Sequence, residues 1–225
     1  MLFYKLLYFF VYSLIRPNLK KIEGLEYLPK DKGFLIVANH QNNYDPQAIA
    51  TALYAYSKFY LWPKKKKIYF IGAKHLQKNF WKYHLISSIL TLGMDSIGYL
   101  PAHRDSLAKA VNLIKEGNVV VIFPEGHRNP KPMLNRGKRG AAVIALISGC
   151  LIVPVGSFGP PTYGIKQGFI GFFKPKSVKF GKPFQLIQKT QAEIDKNPFL
   201  LIEATNRIMT EIAKVANKIY QQVLF

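Results

Sequence analysis

Apolar residues along this chain fall into short blocks separated by longer stretches of mixed polarity. Blocks at residues 34–38, 68–72, 96–100, 119–123 and 151–155 are strand-sized, and 119–123 is a continuous, largely β-branched run of the kind that fills a sheet interior. The run at 151–155 has the same character, so these two are expected to lie side by side, with a further edge strand at 178–180. Helical spacing begins near Asp45 and continues through Ala48, Ile49, Ala52 and Leu53; further helices are expected at about 80–92, 105–115 and 139–147. Residues 197–223 carry a helical period that puts Leu200, Leu201, Ala204, Ile208, Ile212 and Val215 on one face. Gly117 and Asn118 punctuate the turn before the central block. Strand, turn and helix in repetition is α/β grammar. It predicts a single domain with a central mixed, largely parallel sheet flanked by helices.

The first fifteen residues stand apart. They are apolar except for Lys5, Ser13 and the tyrosine hydroxyls, and they fall short of the roughly 20 residues that a spanning helix needs. Tyr4, Tyr8 and Tyr12 recur every four residues and line one helical stripe, with hydrocarbon elsewhere, which suits a helix lying in a membrane interface. No small-residue cleavage site follows, and Arg16, Lys20 and Lys21 come next, so the segment reads as a retained anchor on the cytoplasmic face. The chain is therefore divided into an N-terminal membrane-interfacial, amphipathic segment at 1–30 and a catalytic domain at 31–225.

Charge narrows the partners. Lysine and arginine number 32 against 12 acidic residues, a formal net charge of +20 that calls for an anionic surface. No recognition helix, zinc finger or RNA-binding sheet signature accompanies it, so an anionic membrane surface is expected and nucleic acid is not. The run Lys64, Lys65, Lys66 and Lys67, preceded by Trp62 and Pro63, suits a loop pressed against anionic lipid, and the aromatics Phe80, Trp81 and Tyr83 could rim an acyl groove. Cys150 is the single cysteine, which excludes an internal disulfide and a multi-cysteine zinc site; flanked by an apolar run, it reads as a small buried hydrophobe.

Candidate chemistry sits where strands end. Residues 39–46, Asn-His-Gln-Asn-Asn-Tyr-Asp-Pro, leave the first apolar block. On one continuous helix His40 and Asp45 would stand about 140° apart. At a loop-to-helix junction they can touch. An aspartate accepting from one imidazole nitrogen fixes the tautomer and leaves the other nitrogen to take a proton. Ser87, Ser88 and Ser157 carry no nucleophile-elbow signature, so the proton is read as belonging to a substrate hydroxyl. A second exit, Phe123-Pro124-Glu125-Gly126-His127-Arg128, follows the central block. There Gly126 permits a tight turn, Arg128 offers a fork suited to phosphate, and Glu125 is placed to orient Arg128 or an acceptor hydroxyl.

Together these motifs resemble the glycerolipid acyltransferase family, which includes the 1-acyl-sn-glycerol-3-phosphate (lysophosphatidic acid) acyltransferases. Four family blocks occur in order between residues 39 and 156. The resemblance assigns His40 as base and Asp45 as its orienting carboxylate. It implies that Arg104, six residues after Gly98, helps to hold an acceptor phosphate, although His103 stands where the family usually has an acidic residue. In the third block, from Phe123 to Arg128, His127 replaces the usual hydroxyl residue; Lys138 and Arg139 resemble the basic element that follows, with Lys138 a candidate for the phosphate. Ile152, Val153, Pro154 and Val155 match the fourth block, where the family places acyl contacts around the proline. The implied reaction is acyl transfer from acyl-CoA or acyl-ACP as co-substrate to the free hydroxyl of a lysophospholipid, giving phosphatidic acid, with no bound cofactor and no metal. The implied partners are the lysophospholipid acceptor, an acyl carrier protein if that is the donor's carrier, and the membrane. Alternatives are the same transfer to another lysolipid or to glycerol phosphate, and a non-catalytic basic membrane-binding module.

Overall fold

A computed structural model describes residue 13 and residues 15–59, 66–72, 98–161 and 173–223. Seven strands build one sheet: β1 (Leu19–Glu23), β2 (Phe34–Ala38), β3 (Ile68–Gly72), β4 (Tyr99–Pro101), β5 (Val119–Ile122), β6 (Leu151–Phe158) and β7 (Lys176–Phe180). Their order across the sheet is β1-β7-β6-β2-β5-β3-β4. Strands β2 to β6 all run parallel, whereas β7 is antiparallel to β6 and carries β1 parallel beside it. The helices are α1 (Asp45–Phe59), α2 (Arg104–Lys115), α3 (Gly140–Ser148), α4 (Gln191–Lys196) and α5 (Phe199–Ala216).

Both faces of the sheet are covered, which is why its middle strands read as unbroken apolar runs. Leu35 and Val37 of β2 join Val120, Ile122 and Ile152 in a core completed by α2, α3 and α5. Their neighbours Phe34, Ile36 and Ala38 point the other way, onto Val121, Val153, Val155 and the Ala48, Ile49, Ala52 and Leu53 face of α1.

The mixed, mostly parallel α/β architecture is the one the patterning predicts, with β2 and β3 where they were expected. Three expectations are corrected. Strands β5 and β6 are not neighbours, because β2 lies between them and pairs with both; three equally apolar strands give periodicity no means of ordering them. Strand β7 is no edge, since β1 covers its outer side. Strand β1 escaped notice because Lys20 and Lys21 are exposed, leaving no apolar block to see. It also belongs to the sheet, so the folded unit begins before residue 31.

The C-terminal helix, expected over 197–223, is shorter, covering Phe199–Ala216, and the separate short helix α4 precedes it. Thr190 and Glu193 form a reciprocal capping box that starts α4. Helix α5 stops at Ala216 because Asn217 takes a left-handed conformation (φ 51°), which asparagine tolerates better than most residues. Residues 1–12, 60–65 and 80–92, to which the interfacial helix, the first half of the lysine run and a further helix were assigned, lie outside the described residues. Among the described residues, no helix is long and apolar enough to cross a membrane.

The pairing of β1 with β7 rests on a close approach at Gly24. Its φ is +75°, and a Cβ there would fall 2.0 Å from the Phe180 carbonyl oxygen. Gly117, at φ +90°, has nothing within 4 Å of the same position. Urea denaturation should therefore show Gly117→Ala losing about 1–2 kcal/mol, the cost of left-handed backbone alone, and Gly24→Ala losing clearly more. Equal losses would mean that β1 is not tightly docked.

Candidate active site

Because β6, β2 and β5 are adjacent and parallel, the residues leaving their carboxyl ends emerge within one or two strand spacings of each other. His40 follows β2, Glu125 follows β5 and Ser157 closes β6. Local turn chemistry does the rest. The Asn42 side-chain oxygen accepts from the Tyr44 N–H at 2.8 Å, an Asx turn that swings the chain into α1 and delivers Asp45 as its first residue.

Asp45 is 1 % exposed, and four donors converge on it. One oxygen, Oδ2, accepts from His40 Nδ1 at 2.9 Å, from the Gln41 N–H at 2.6 Å and from the Asn42 N–H at 2.7 Å. The other, Oδ1, accepts from Ser157 Oγ at 2.7 Å. A carboxylate so supplied has no proton to give, so the imidazole carries its hydrogen on Nδ1 and presents Nε2 as the basic nitrogen. The ring stacks on Phe123, centroids 4.5 Å apart, and its side chain keeps 19 % of its surface open. Ser157 is itself gripped: its N–H donates to Asn39 Oδ1 at 2.7 Å, and its carbonyl accepts from Asn39 Nδ2 at 3.0 Å.

Glu125, also 1 % exposed, does not orient Arg128 as expected. Its Oε1 accepts from the His40 backbone N–H at 3.3 Å, while Oε2 accepts from Asn129 Nδ2 at 2.7 Å and from the Asn135 N–H at 2.9 Å. Its place is beneath the site, tying the two motifs together. Arg128 donates instead to Asn43 Oδ1 and stays exposed. Gly126 (φ +72°) leaves room for Lys138, whose Cε would lie 2.4 Å from a Cβ there. Arg128 and Lys138 are thus both held at this edge of the sheet.

Arg104 stands exposed at the start of α2, after β4, two strands out from β5 along the same edge. His103 meets Asp105 at 3.1 Å, and His127 meets Asn135 at 3.0 Å. The structure does not bring Pro154 to this cluster. It pairs with Val37 inside the sheet, its carbonyl accepts from the Gly181 N–H at 2.8 Å, and strand alternation sets it on the side of Ile152 under α5. Among the described residues, no three His, Cys, Asp or Glu side chains converge as a metal site requires.

Sequence reasoning missed Ser157, Asn129, Asn135 and Lys176. A polar residue ending the apolar 151–155 run was the available signal for Ser157; the others sit on segments whose return to the site only the fold reveals. Lys176 is 3 % exposed, with Nζ 5.2 Å from the Tyr44 ring centroid and donating to the Lys174 carbonyl at 2.8 Å. Burial pushes its ammonium down to about 8, and the charge of Asp45 offsets part of that.

A mixed, mostly parallel α/β sheet thus carries an aspartate-anchored histidine and an arginine at adjacent strand ends. The family model described as Acyltransferase matches residues 20–157, and the chain belongs to that family. The chain is 29% identical over 140 residues to the 1-acyl-sn-glycerol-3-phosphate acyltransferase of Bacillus subtilis (strain 168), a match spanning 62% of this chain and 63% of that protein. With the chloroplastic 1-acyl-sn-glycerol-3-phosphate acyltransferase LPAT1 of Arabidopsis thaliana it shares 31% identity over 146 residues, 61% of this chain and 35% of that one. The matched stretch is thus less than two thirds of either relative. The crystal structure of the 1-acyl-sn-glycerophosphate (LPA) acyltransferase PlsC from Thermotoga maritima superposes with a TM-score of 0.56 at 18% identity, covering 94% of this chain and 79% of that one, a likeness of fold.

Lys176 yields a pH prediction. Its folded pKa lies below the ordinary lysine value, so the unfolded chain binds the extra proton between about pH 8 and 10.5 and this group's contribution to stability rises with pH across that window. Native protein and Lys176→Met, compared by urea denaturation, should differ least favourably for the native at pH 7. The native should then gain on the variant by about 2–3 kcal/mol as pH passes from 8 to 10.5. A difference independent of pH would mean that the ammonium is not held out of water.

Proposed function

We propose that this protein transfers a fatty acyl group from a thioester to the free hydroxyl of 1-acyl-sn-glycerol-3-phosphate, forming phosphatidic acid, while resting on an anionic membrane surface. The observation that carries the reading is the fixed His40 imidazole: Nδ1 is committed to Asp45 at 2.9 Å, and Nε2 is left as a base. The names borne by the Bacillus and Arabidopsis relatives support the acceptor, and the net charge of +20 supports the surface and the anionic substrate.

Nε2 takes the proton of the acceptor hydroxyl as its oxygen attacks the thioester carbonyl. A C–O bond forms, the C–S bond breaks, and the imidazolium returns the proton to the departing thiolate. Asp45 stabilises the imidazolium without itself becoming protonated. Arg128 and Lys138, with Arg104 further along the edge, supply positive charge for the acceptor phosphate. Acyl-CoA and acyl-ACP present the same thioester, and either serves as donor in this scheme. The apolar residues 1–15 are the proposed anchor on the cytoplasmic face.

Thiol release from a long-chain acyl thioester in anionic vesicles, with and without lysophosphatidic acid, tests this directly, with product lipid checked by mass spectrometry. Native protein should release thiol and form phosphatidic acid in step with added acceptor. His40→Ala and Asp45→Asn should each lose roughly 10²–10⁴-fold in kcat. Undiminished turnover in His40→Ala would remove the base from the mechanism, and product with glycerol phosphate alone would move the acceptor to that alternative.

A further inference from the structure

The turn that carries Asn129, one of the three donors to Glu125, has few bonds of its own. Residues 129–132 run Asn-Pro-Lys-Pro, and prolines bring no N–H. Its local bonds run from the Lys131 N–H to Asn129 Oδ1 at 3.1 Å and from Asn129 Nδ2 to the Met133 carbonyl at 2.7 Å. Yet two site contacts depend on it. The Asn129 N–H donates to the His40 carbonyl at 2.6 Å, and Asn129 Nδ2 donates to Glu125 Oε2 at 2.7 Å.

Further bonds to the turn come from the tail that follows α5. Asn217 reverses the backbone after α5, and the tail runs back along the turn. Lys218 Nζ donates to the Asn129 carbonyl at 2.9 Å and to the Lys131 carbonyl at 2.6 Å. Beside it, the Ile219 N–H donates to the Pro132 carbonyl at 3.0 Å, and the Ile219 carbonyl accepts from the Leu134 N–H at 2.8 Å. We propose that Lys218 is a positioning residue of the active site, its ammonium clamping the 129–131 turn and, through Asn129, fixing both Glu125 and the backbone of His40. Burial pulls the lysine's pKa down, while the charges of Glu125 and then Asp45 push it back up, so the ammonium lies in the field of both buried carboxylates. Lys218 is outside residues 20–157, which the family model matches. Its catalytic consequence rests on the acyl-transfer reading, whereas its structural action does not.

The test uses the full chain with Lys218→Cys. Alkylation of the folded protein with 2-bromoethylamine rebuilds an ammonium of nearly lysine length at position 218, whereas iodoacetamide adds a neutral group; buried Cys150 is shielded from both. Amide hydrogen exchange over peptides covering residues 125–135 should rise about tenfold in Lys218→Cys and stay high after iodoacetamide. It should return to near native after aminoethylation. In the thiol-release assay kcat should fall about tenfold or more, with the KM for the thioester held within about twofold, and should recover with the ammonium.

Native-like exchange in the unmodified variant, or equal recovery with both reagents, overturns the clamp. Exchange that follows the ammonium while kcat does not overturns the positioning role. Should the native chain transfer no acyl group, the proposed function fails, and the exchange measurement still decides the clamp. If Lys218→Cys does not fold, Lys218→Arg takes its place: a guanidinium fork that reaches both carbonyls should keep native exchange, and native folding with raised exchange counts against the clamp.

Discussion

A buried carboxylate on which four hydrogen-bond donors converge organises this molecule. Asp45 costs several kcal/mol to take out of water unless its oxygens find donors, and it finds four, from three places: the imidazole of His40, two successive backbone N–H groups, and the Ser157 hydroxyl at the end of β6. Its position at the start of α1 adds the favourable end of a helix dipole. The same contacts that make the aspartate tolerable fix the histidine's orientation, so stability and function rest on one set of bonds.

Glu125 repeats the solution one strand over. It too is buried, and it too is satisfied by groups from separate segments: the His40 N–H, the Asn129 amide and the Asn135 N–H. Two buried carboxylates therefore grip the same short segment, Asp45 by the ring of His40 and Glu125 by its backbone. Lysines answer them from β7 and from the C-terminal tail, where Lys176 senses Asp45 and Lys218 senses Glu125 and Asp45. Fixed surroundings of this kind carry no reorganisation cost when charge develops on the imidazole.

Much of this was legible in the chain. Apolar blocks located β2 and β3 to the residue, and exits from apolar to polar residues pointed to His40, Asp45 and Glu125 before any fold was known. Strand order was not legible, because β2, β5 and β6 are alike in composition, and without it nothing could bring Ser157 to Asp45. Nor was β1, whose adjacent lysines mask a half-buried strand. Of the two roles open to Glu125, orienting Arg128 is not the one the fold provides, because a buried carboxylate takes the donors that burial offers, here from His40, Asn129 and Asn135. Lys218 had no local signature at all: its significance is a property of the tail's return path after Asn217.

The most direct measurement is the tautomer of His40, read from the ¹⁵N shifts of its ring nitrogens in histidine-labelled protein, with the His40→Ala spectrum used for assignment. In the neutral ring, hydrogen on Nδ1 and an unprotonated Nε2 is the predicted result, with the Nδ1 proton signal displaced when Asp45 is changed to Asn. A neutral ring protonated on Nε2, or one exchanging freely between the two forms, would show that Asp45 does not set the imidazole, and the histidine would lose its claim to act as the base.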